Sequence, residues 1–437
     1  MKPLILVELN EINFDIVARY IDAGANLPTF AKLIADKVVR CVSEESYELL
    51  EPWIQWVSIH TGMSYSEHRV FRLGDIVENP SPQLFEILER AGYSVGAVSP
   101  MNTANRLARP AYFIPDPWTS TPSDPSVMSR AIAAAIAQTV NDNAQARISP
   151  SSVGALLLAM ARCAQARHFG RYASLVFGAT RKRWQRAMFL DLLLHDIHHA
   201  LFAKHRPDFS SIFLNAGAHI QHHYMLNSAA LSQSSATRNP PWYVPGKADP
   251  LAELLSLYDA LLSQIVEDDS VEYIIATGLT QKPYDQVKFY YRLKDHAAFL
   301  QTFGIAYRAV HPRMTRDFLV EFDNAESAHR AQAQLASIVA TADNLPIFGK
   351  IDNRGDSLFV TLTYPHEIGE AATATHDGRR IALHDLVAFV AIKNGMHEPT
   401  CFVCASQGVA PLLPNDGAHA KAIFSTIQTY FEIDAER

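Results

Sequence analysis

Apolar positions in the first hundred residues alternate between two rhythms. Leu4–Leu9 is a nearly continuous apolar run, the pattern of a strand buried on both faces. Phe14, Val17, Ala18 and Ile21 then recur at helical spacing, predicting a helix over Asn13–Asp22 that Gly24 stops. Leu27–Ile34 reads as a second helix, opened by Pro28 in its first turn. Leu84–Ala91 reads as a third, closed by Gly92, with a strand over Tyr93–Val98. This β-α-β alternation predicts an α/β fold, a mostly parallel sheet with helices on both faces.

Further on, residues 126–206 are rich in Ala, Leu, Arg and Gln at helical spacing and predict a helical insertion. Phe209–Asn215 returns to a strand, Asp249–Val266 to a long helix and Val271–Thr277 to a strand. Within 285–387 a strand at Phe318–Phe322, a helix at Ala325–Thr341 and a strand at Leu358–Thr363 predict a small α+β cap. Ala388–Lys393 and Cys401–Ala405 are expected to rejoin the main sheet, and Lys421–Phe431 to form a closing helix. The core is thus expected from 1–125, 207–284 and 388–437.

Composition narrows the class. Of 437 residues 48% are apolar and 19% charged, enough for a large core and too apolar for global disorder. A net charge of −7 argues against nucleic-acid binding through bulk positive charge. The longest apolar run, near Val153–Met160, falls short of the roughly 18 residues of a membrane span. The apolar stretch before Glu8 is too short for a secretory leader. Cys41, Cys163, Cys401 and Cys404 lack the paired spacing of a zinc ribbon and read as buried thiols. A reduced, cytoplasmic protein without a membrane span is expected.

Several clusters carry chemistry. His219, His222 and His223 follow the strand Phe209–Asn215, and a helix there would set them at i, i+3 and i+4. Strand carboxyl ends are where α/β sheets bind ligands, and imidazoles one turn apart suit an open metal site, although a His-rich surface loop has the same sequence. His195 and His199 also share a helical face, but Asp191, Lys204 and His205 nearby make that stretch read as a solvated amphipathic helix. Arg181–Arg186 reads as a solvated basic face, at most an anion contact. His397 lies in a Gly- and Pro-punctuated loop after a buried strand. Glu44, Glu45, Glu48 and Glu51 lead into Pro52-Trp53-Ile-Gln55-Trp56, where a carboxylate beside apolar rings could serve as acid or base. Glu8, Asn10 and Glu11 sit toward the end of the first strand.

In this order the pieces resemble the alkaline phosphatase superfamily, in its type I phosphodiesterase/nucleotide pyrophosphatase and sulfatase-like branch. Leu4-Ile-Leu-Val-Glu-Leu-Asn10 and Leu27-Pro-Thr-Phe-Ala-Lys-Leu33 are similar to the branch's first strand and LPNLxxL helix. Trp56-Val-Ser-Ile-His-Thr61-Gly62 with Glu67-His68 resembles its W-T-S-x-x-T-G…H-G stretch. Ile274–Thr277 resembles its strand ending in T-S-D-H-G, and His397-Glu-Pro-Thr its late G-x-H-x-P segment. Three positions depart: Asn10 stands for the first-strand metal Asp, Pro52 for the nucleophile with Glu51 beside it, and Leu279-Thr280 for the Asp-His pair. One metal site and the oxygen nucleophile therefore look absent. The other site maps to His219 and His223 with His397, or one residue earlier to Ala218 and His222.

The resemblance implies a metal-dependent hydrolase or transferase acting on a small-molecule or glycan-linked ester of phosphate or sulfate, with one divalent ion, zinc by expectation. The expected ligands are His219, His222, His223 and His397. Glu51 is expected as general base or unusual nucleophile, with Asn10 and Gln55 as catalytic-site groups. Glu8, Glu11, Trp53, Gln281 and Lys282 are expected against substrate. The alternatives are a lyase on the same fold, a degenerate member that binds an anionic or glycan-like ligand, or a scaffold docking a partner through 126–206.

Overall fold

A computed structural model describes residues 1–141, 149–231, 238–313 and 316–433. The chain divides into two compact units, Met1–Pro283 with Gly395–Arg437, and Tyr284–Asn394.

The larger unit is built on β1 (Leu4–Leu9), β2 (Val39–Val42), β3 (Val95–Val98), β4 (Tyr112–Ile114), β5 (Phe209–Leu214), β6 (Glu272–Ala276) and the late strand Thr400–Ala405. They form one seven-stranded sheet in the order β2, Thr400–Ala405, β6, β1, β5, β3, β4. β6, β1, β5, β3 and β4 run parallel, and Thr400–Ala405 lies antiparallel between β6 and β2. Parallel neighbours require long crossovers. Those are supplied by α1 (Phe14–Asp22), α2 (Pro28–Asp36), α3 (Pro52–Thr61), α4 (Tyr65–His68), α5 (Leu84–Arg90), α6 (Val127–Asn141), α7 (Pro150–Cys163), α8 (Phe169–Gly178), α9 (Gln185–His205), α10 (Ala216–Tyr224) and α11 (Pro250–Val266). The expected α/β class is the one observed. β1 is buried at every residue, as its apolar run requires. Apolar clusters lie on both sheet faces: Val7 and Leu9 join one, Leu4 and Leu6 the other. Cys401 and Cys404 divide between the same two clusters, and all four cysteines are buried free thiols.

The expected solvated helix at His195 is corrected. In α9, Asp191 through His198 are all buried, while His199 and, in the last turn, Lys204 and His205 are exposed. α9 packs against α7, α8, α10, α11 and β5, so Asp191, His195, Asp196 and His198 face neighbours rather than water.

In the smaller unit a four-stranded antiparallel sheet runs Lys350–Asn353, Ser357–Thr361, Asp317–Glu321, Ala309–Pro312. Asp317–Glu321 alternates buried and half-buried positions, the period of a sheet with one covered face. The helix predicted to Thr341 stops at Ala336, and Val339–Ala340 pairs instead with Thr375 and Ala374, where β-branched residues fit better than in a helix. The prediction that Ala388–Lys393 joins the main sheet is also overturned. Val387–Glu398 pairs with Thr280–Leu293 in a separate two-stranded sheet.

Candidate functional site

The carboxyl ends of β1, β5 and β6 converge in the larger unit. Past β1 the ladder continues, Asn10 donating its N–H to Leu214 and Glu11 its N–H to Thr277. Glu11 then turns into the left-handed region at φ 61°, costly for a residue with a Cβ and common where function holds the backbone. The Gln221 amide secures that turn, donating to the Glu11 carbonyl at 2.7 Å.

Glu8 on β1 and Asn10 just past its end, two residues apart, meet His60 and Trp56, four apart on α3. His60 Nε2 lies 3.2 Å from Glu8 Oε1, and Trp56 Nε1 donates to Asn10 Oδ1 at 2.8 Å. The spacings match because two strand residues and four helix residues each span about 6–7 Å. Gly278, at φ 69°, lets the chain pass the indole, since a Cβ there would lie 3.0 Å from the Trp56 ring. Glu8 is therefore sealed beneath α3, completely buried, and its place against substrate is corrected.

Glu11 points to the other side, where three ligand-type atoms meet. Glu11 Oε2 lies 3.2 Å from His222 Nε2 and 3.3 Å from His397 Nε2, and the two Nε2 atoms are 3.1 Å apart. Asn10 Nδ2 donates to Glu11 Oε1 at 3.3 Å and to Asn215 Oδ1 at 2.8 Å. Gln281 Nε2 donates to Glu11 Oε2 and, at 3.2 Å, to the Ala218 carbonyl. Burial drives the Glu11 carboxyl upward, but His397 and then His222 outweigh it and hold the group well below the ordinary carboxylate range. Burial pulls His397 down, while the Glu11 charge and hydrogen bond, with Glu51 behind them, leave it raised. On its far side His397 Nδ1 lies 3.9 Å from Glu51 Oε2, and the ring hydrogen-bonds the Leu50 backbone.

α10 carries His222, and its start is fixed by Asp191, from the stretch expected to be a solvated helix, together with Tyr258 of α11. Asp191 Oδ2 accepts from the Ala216 N–H at 2.7 Å and from Tyr258 Oη at 2.6 Å, and Tyr258 in turn accepts from the Gly217 N–H at 2.9 Å. Burial lifts the Asp191 carboxyl to about 6 against those donors. Gly217 is required because a Cβ there would meet Ile12 at 2.6 Å and the Asn10 carbonyl at 3.2 Å. No motif announces Asp191 or Tyr258; only helix packing brings them to α10.

Among the expected ligands the helix pitch brings His222 and His397 together with Glu11. His219 and His223 face each other at 4.9 Å between ring centroids, and neither belongs to a metal-capable group among the described residues. Burial pushes His219 down to about 4. Gln55 is buried and donates to the Leu49 carbonyl at 2.7 Å while accepting from the Glu44 N–H, so it shapes the loop before α3 instead of meeting Glu11. Trp53 donates to the Phe71 carbonyl at 3.1 Å, and Lys282, half-exposed, pairs with Glu398 at 3.3 Å. Leu279 and Thr280 are fully buried. A second set, His168, His195 and Asp196, also clusters, but Asp196 is saturated there by Gln165, His168 and Tyr172.

No protein-family model matches this chain, and no curated protein matches it. Solved structures to which it is similar include phosphonoacetate hydrolase from Sinorhizobium meliloti 1021 in complex with phosphonoacetate, at 13% identity and TM-score 0.45, covering 98% of this chain and 96% of that one. Murine ectonucleotide pyrophosphatase/phosphodiesterase 5 is similar at 9% identity and TM-score 0.43, over 100% and 96% of the two chains. TAB5 alkaline phosphatase is similar at 9% identity and TM-score 0.43, over 99% and 98%.

Proposed function

We propose that Glu11, His222 and His397 hold one divalent metal ion, with zinc as first choice, in a hydrolase or transferase for a phosphate or sulfate ester. The observation that carries this is the triangle of 3.1, 3.2 and 3.3 Å between their ligand atoms. Zinc bonds of about 2.0–2.1 Å in tetrahedral array set ligand atoms about 3.3–3.4 Å apart, so the three atoms match one face of that array and leave a fourth position open. Two of the three ligands are also braced from outside, His397 by Leu50 and Glu51 and Glu11 by Asn10 and Gln281, as metal-site ligands require.

A metal ion in this place would supply Lewis acidity toward a phosphoryl or sulfuryl oxygen. The chain's own residues do the rest. Glu51, its side chain 36% exposed beside His397, takes the proton of the attacking water or alcohol. It stands at the N-terminal end of α3, where the helix dipole favours an anionic ester. Pro52 follows it and offers no nucleophile, so attack by water fits better than a Ser or Thr ester intermediate. Asn10 and Gln281 act as positioning residues that keep the Glu11 carboxylate aimed at the imidazoles.

The test is elemental analysis of protein purified without chelators, followed by assays on aryl phosphate and aryl sulfate esters. About one metal ion per chain is expected, lowered in His397→Ala, while Glu51→Gln keeps its metal and loses turnover. A chain that neither carries nor takes up metal would refute the reading and turn attention to binding of an anionic or glycan-like ligand.

A further inference from the structure

Helices α7 and α8 turn large apolar side chains outward. α7 buries only Ser152, Ala159 and Cys163, while Val153, Leu157 and Leu158 are exposed. α8 buries Tyr172 and Leu175 and leaves Phe169, Val176 and Phe177 exposed, Phe177 at 80%. Phe169, Val176 and Phe177 are spaced i, i+7 and i+8, and Val153, Leu157 and Leu158 i, i+4 and i+5, so each helix carries an apolar stripe along one outer face. Single exposed apolar residues are ordinary, but six within the 25 residues from Val153 to Phe177 are a concentration of them on two successive helices.

Charge singles out the same segment. From Asn143 to Leu190 the sequence holds eight Lys or Arg and no Asp or Glu, in a protein of net charge −7. Arg162, Arg167, Arg181, Arg183 and Arg186 are exposed. Arg162 follows Leu158 by one helical turn, Arg167 precedes Phe169 by two residues, and Arg181 follows Phe177 by four, so exposed cations flank both stripes in sequence.

We propose that the outward apolar stripes of α7 and α8 seat on the surface of an anionic lipid bilayer. Phe169, Phe177 and Leu157 would enter the headgroup layer while the bordering arginines meet lipid phosphates, the pairing of apolar insertion and basic flank that interfacial helices use. No helix among the described residues is long and apolar enough to cross a membrane, so the contact is one of lying on the surface. A second copy fits less well, because a two-fold contact through these stripes would set their flanking cations against themselves.

The experiment is vesicle flotation with phosphatidylglycerol–phosphatidylcholine vesicles and with phosphatidylcholine alone, at low and high salt. Wild type should float with the anionic vesicles only, and less at high salt. Arg181→Gln with Arg183→Gln should weaken partitioning on the order of 30-fold, from about fivefold per removed cation. Leu157→Gln with Phe177→Gln should weaken it at least about tenfold while the thermal unfolding midpoint, the control for folding, holds. Flotation indifferent to vesicle charge, or unchanged in both variants, would overturn the proposal. So would a dimer that dissociates in the Leu157→Gln, Phe177→Gln variant with no lipid binding by wild type, which would assign the stripes to self-association, or wild type failing to float at all.

Discussion

Replacing Glu11 by Gln keeps nearly the same side-chain shape and removes the charge where two imidazoles converge. Glu11 is 1% exposed, and its Oε2 stands 3.2 and 3.3 Å from the imidazole nitrogens of His222 and His397. The left-handed backbone at residue 11 costs Gln and Glu alike, so that strain cancels in the comparison. A metal ion present at a thousand times its Kd stabilises the folded state by about 4 kcal/mol. Unfolding entropy of about 2 cal/mol/K per residue, applied to the larger unit of Met1–Pro283 and Gly395–Arg437, gives on the order of 0.7 kcal/mol per degree. Zinc should therefore raise the unfolding midpoint of chelator-treated wild type by about 6 °C. If the carboxylate is a ligand and its loss weakens binding about 100-fold, the Glu11→Gln rise should fall to about 2 °C at the same zinc concentration. Scanning calorimetry with and without zinc, beside elemental analysis, reads both quantities. In metal-free protein the sign is also defined. The raised His397 contributes stability below the ordinary imidazole pKa and loses it as pH climbs through its folded value, so the cost of Glu11→Gln in chelator should shrink with rising pH. Equal metal content and an equal zinc-induced rise in both proteins would refute Glu11 as a ligand.

Gly395→Ala would place a Cβ 1.9 Å from Gln281 Oε1 and 2.8 Å from the Gln221 carbonyl, displacing the amide that holds Glu11; metal affinity should drop about 10–100-fold, and an unchanged metal titration would remove Gln281 from the positioning set. Burial holds His198 down at about 3 and His68 at about 4, so the unfolded chain binds more protons between those values and about 6.5, and stability falls on acidification through that window. Denaturant midpoints measured from roughly pH 7 to 5 should show a shallower slope in His198→Leu, whose loss leaves Ser210 still bonded to Tyr112, and an identical slope would contradict the burial of a neutral imidazole. The four thiols are buried, with Cys404 pushed up to about 12, so native protein should show no fast stoichiometric reaction with an aromatic disulfide reagent until it is unfolded; a rapidly titrating thiol would sink this.

What the amino-acid order determined by itself was local. Leu4–Leu9 has to be a buried strand because its side chains leave neither face polar, and α1, α2 and α11 follow from apolar spacing with Asn13, Pro28 and Asp249 at their starts. The candidate chemistry was within reach too, since His222, His397, Glu11 and Glu51 all stood among the residues marked out at strand ends. Choosing among His219, His222 and His223 was not possible, because the choice depends on how α10 is rotated against β1. That rotation is set by Asp191 and Tyr258 at its first turn and by the close approach of Gly217 to Asn10. Glu11 likewise gained its partners only through a left-handed turn that Gln221, more than two hundred residues away, holds in place. Where local pattern misled, as with α9, Glu8 and Val387–Glu398, the cause was the same. Hydrophobic periodicity records what a segment offers its own faces, whereas burial of His195, pairing of Glu8 with His60 and the choice of strand partner depend on which distant segments arrive there. The tertiary structure made those decisions, because a buried charge or imidazole is tolerable only where another element brings it a partner.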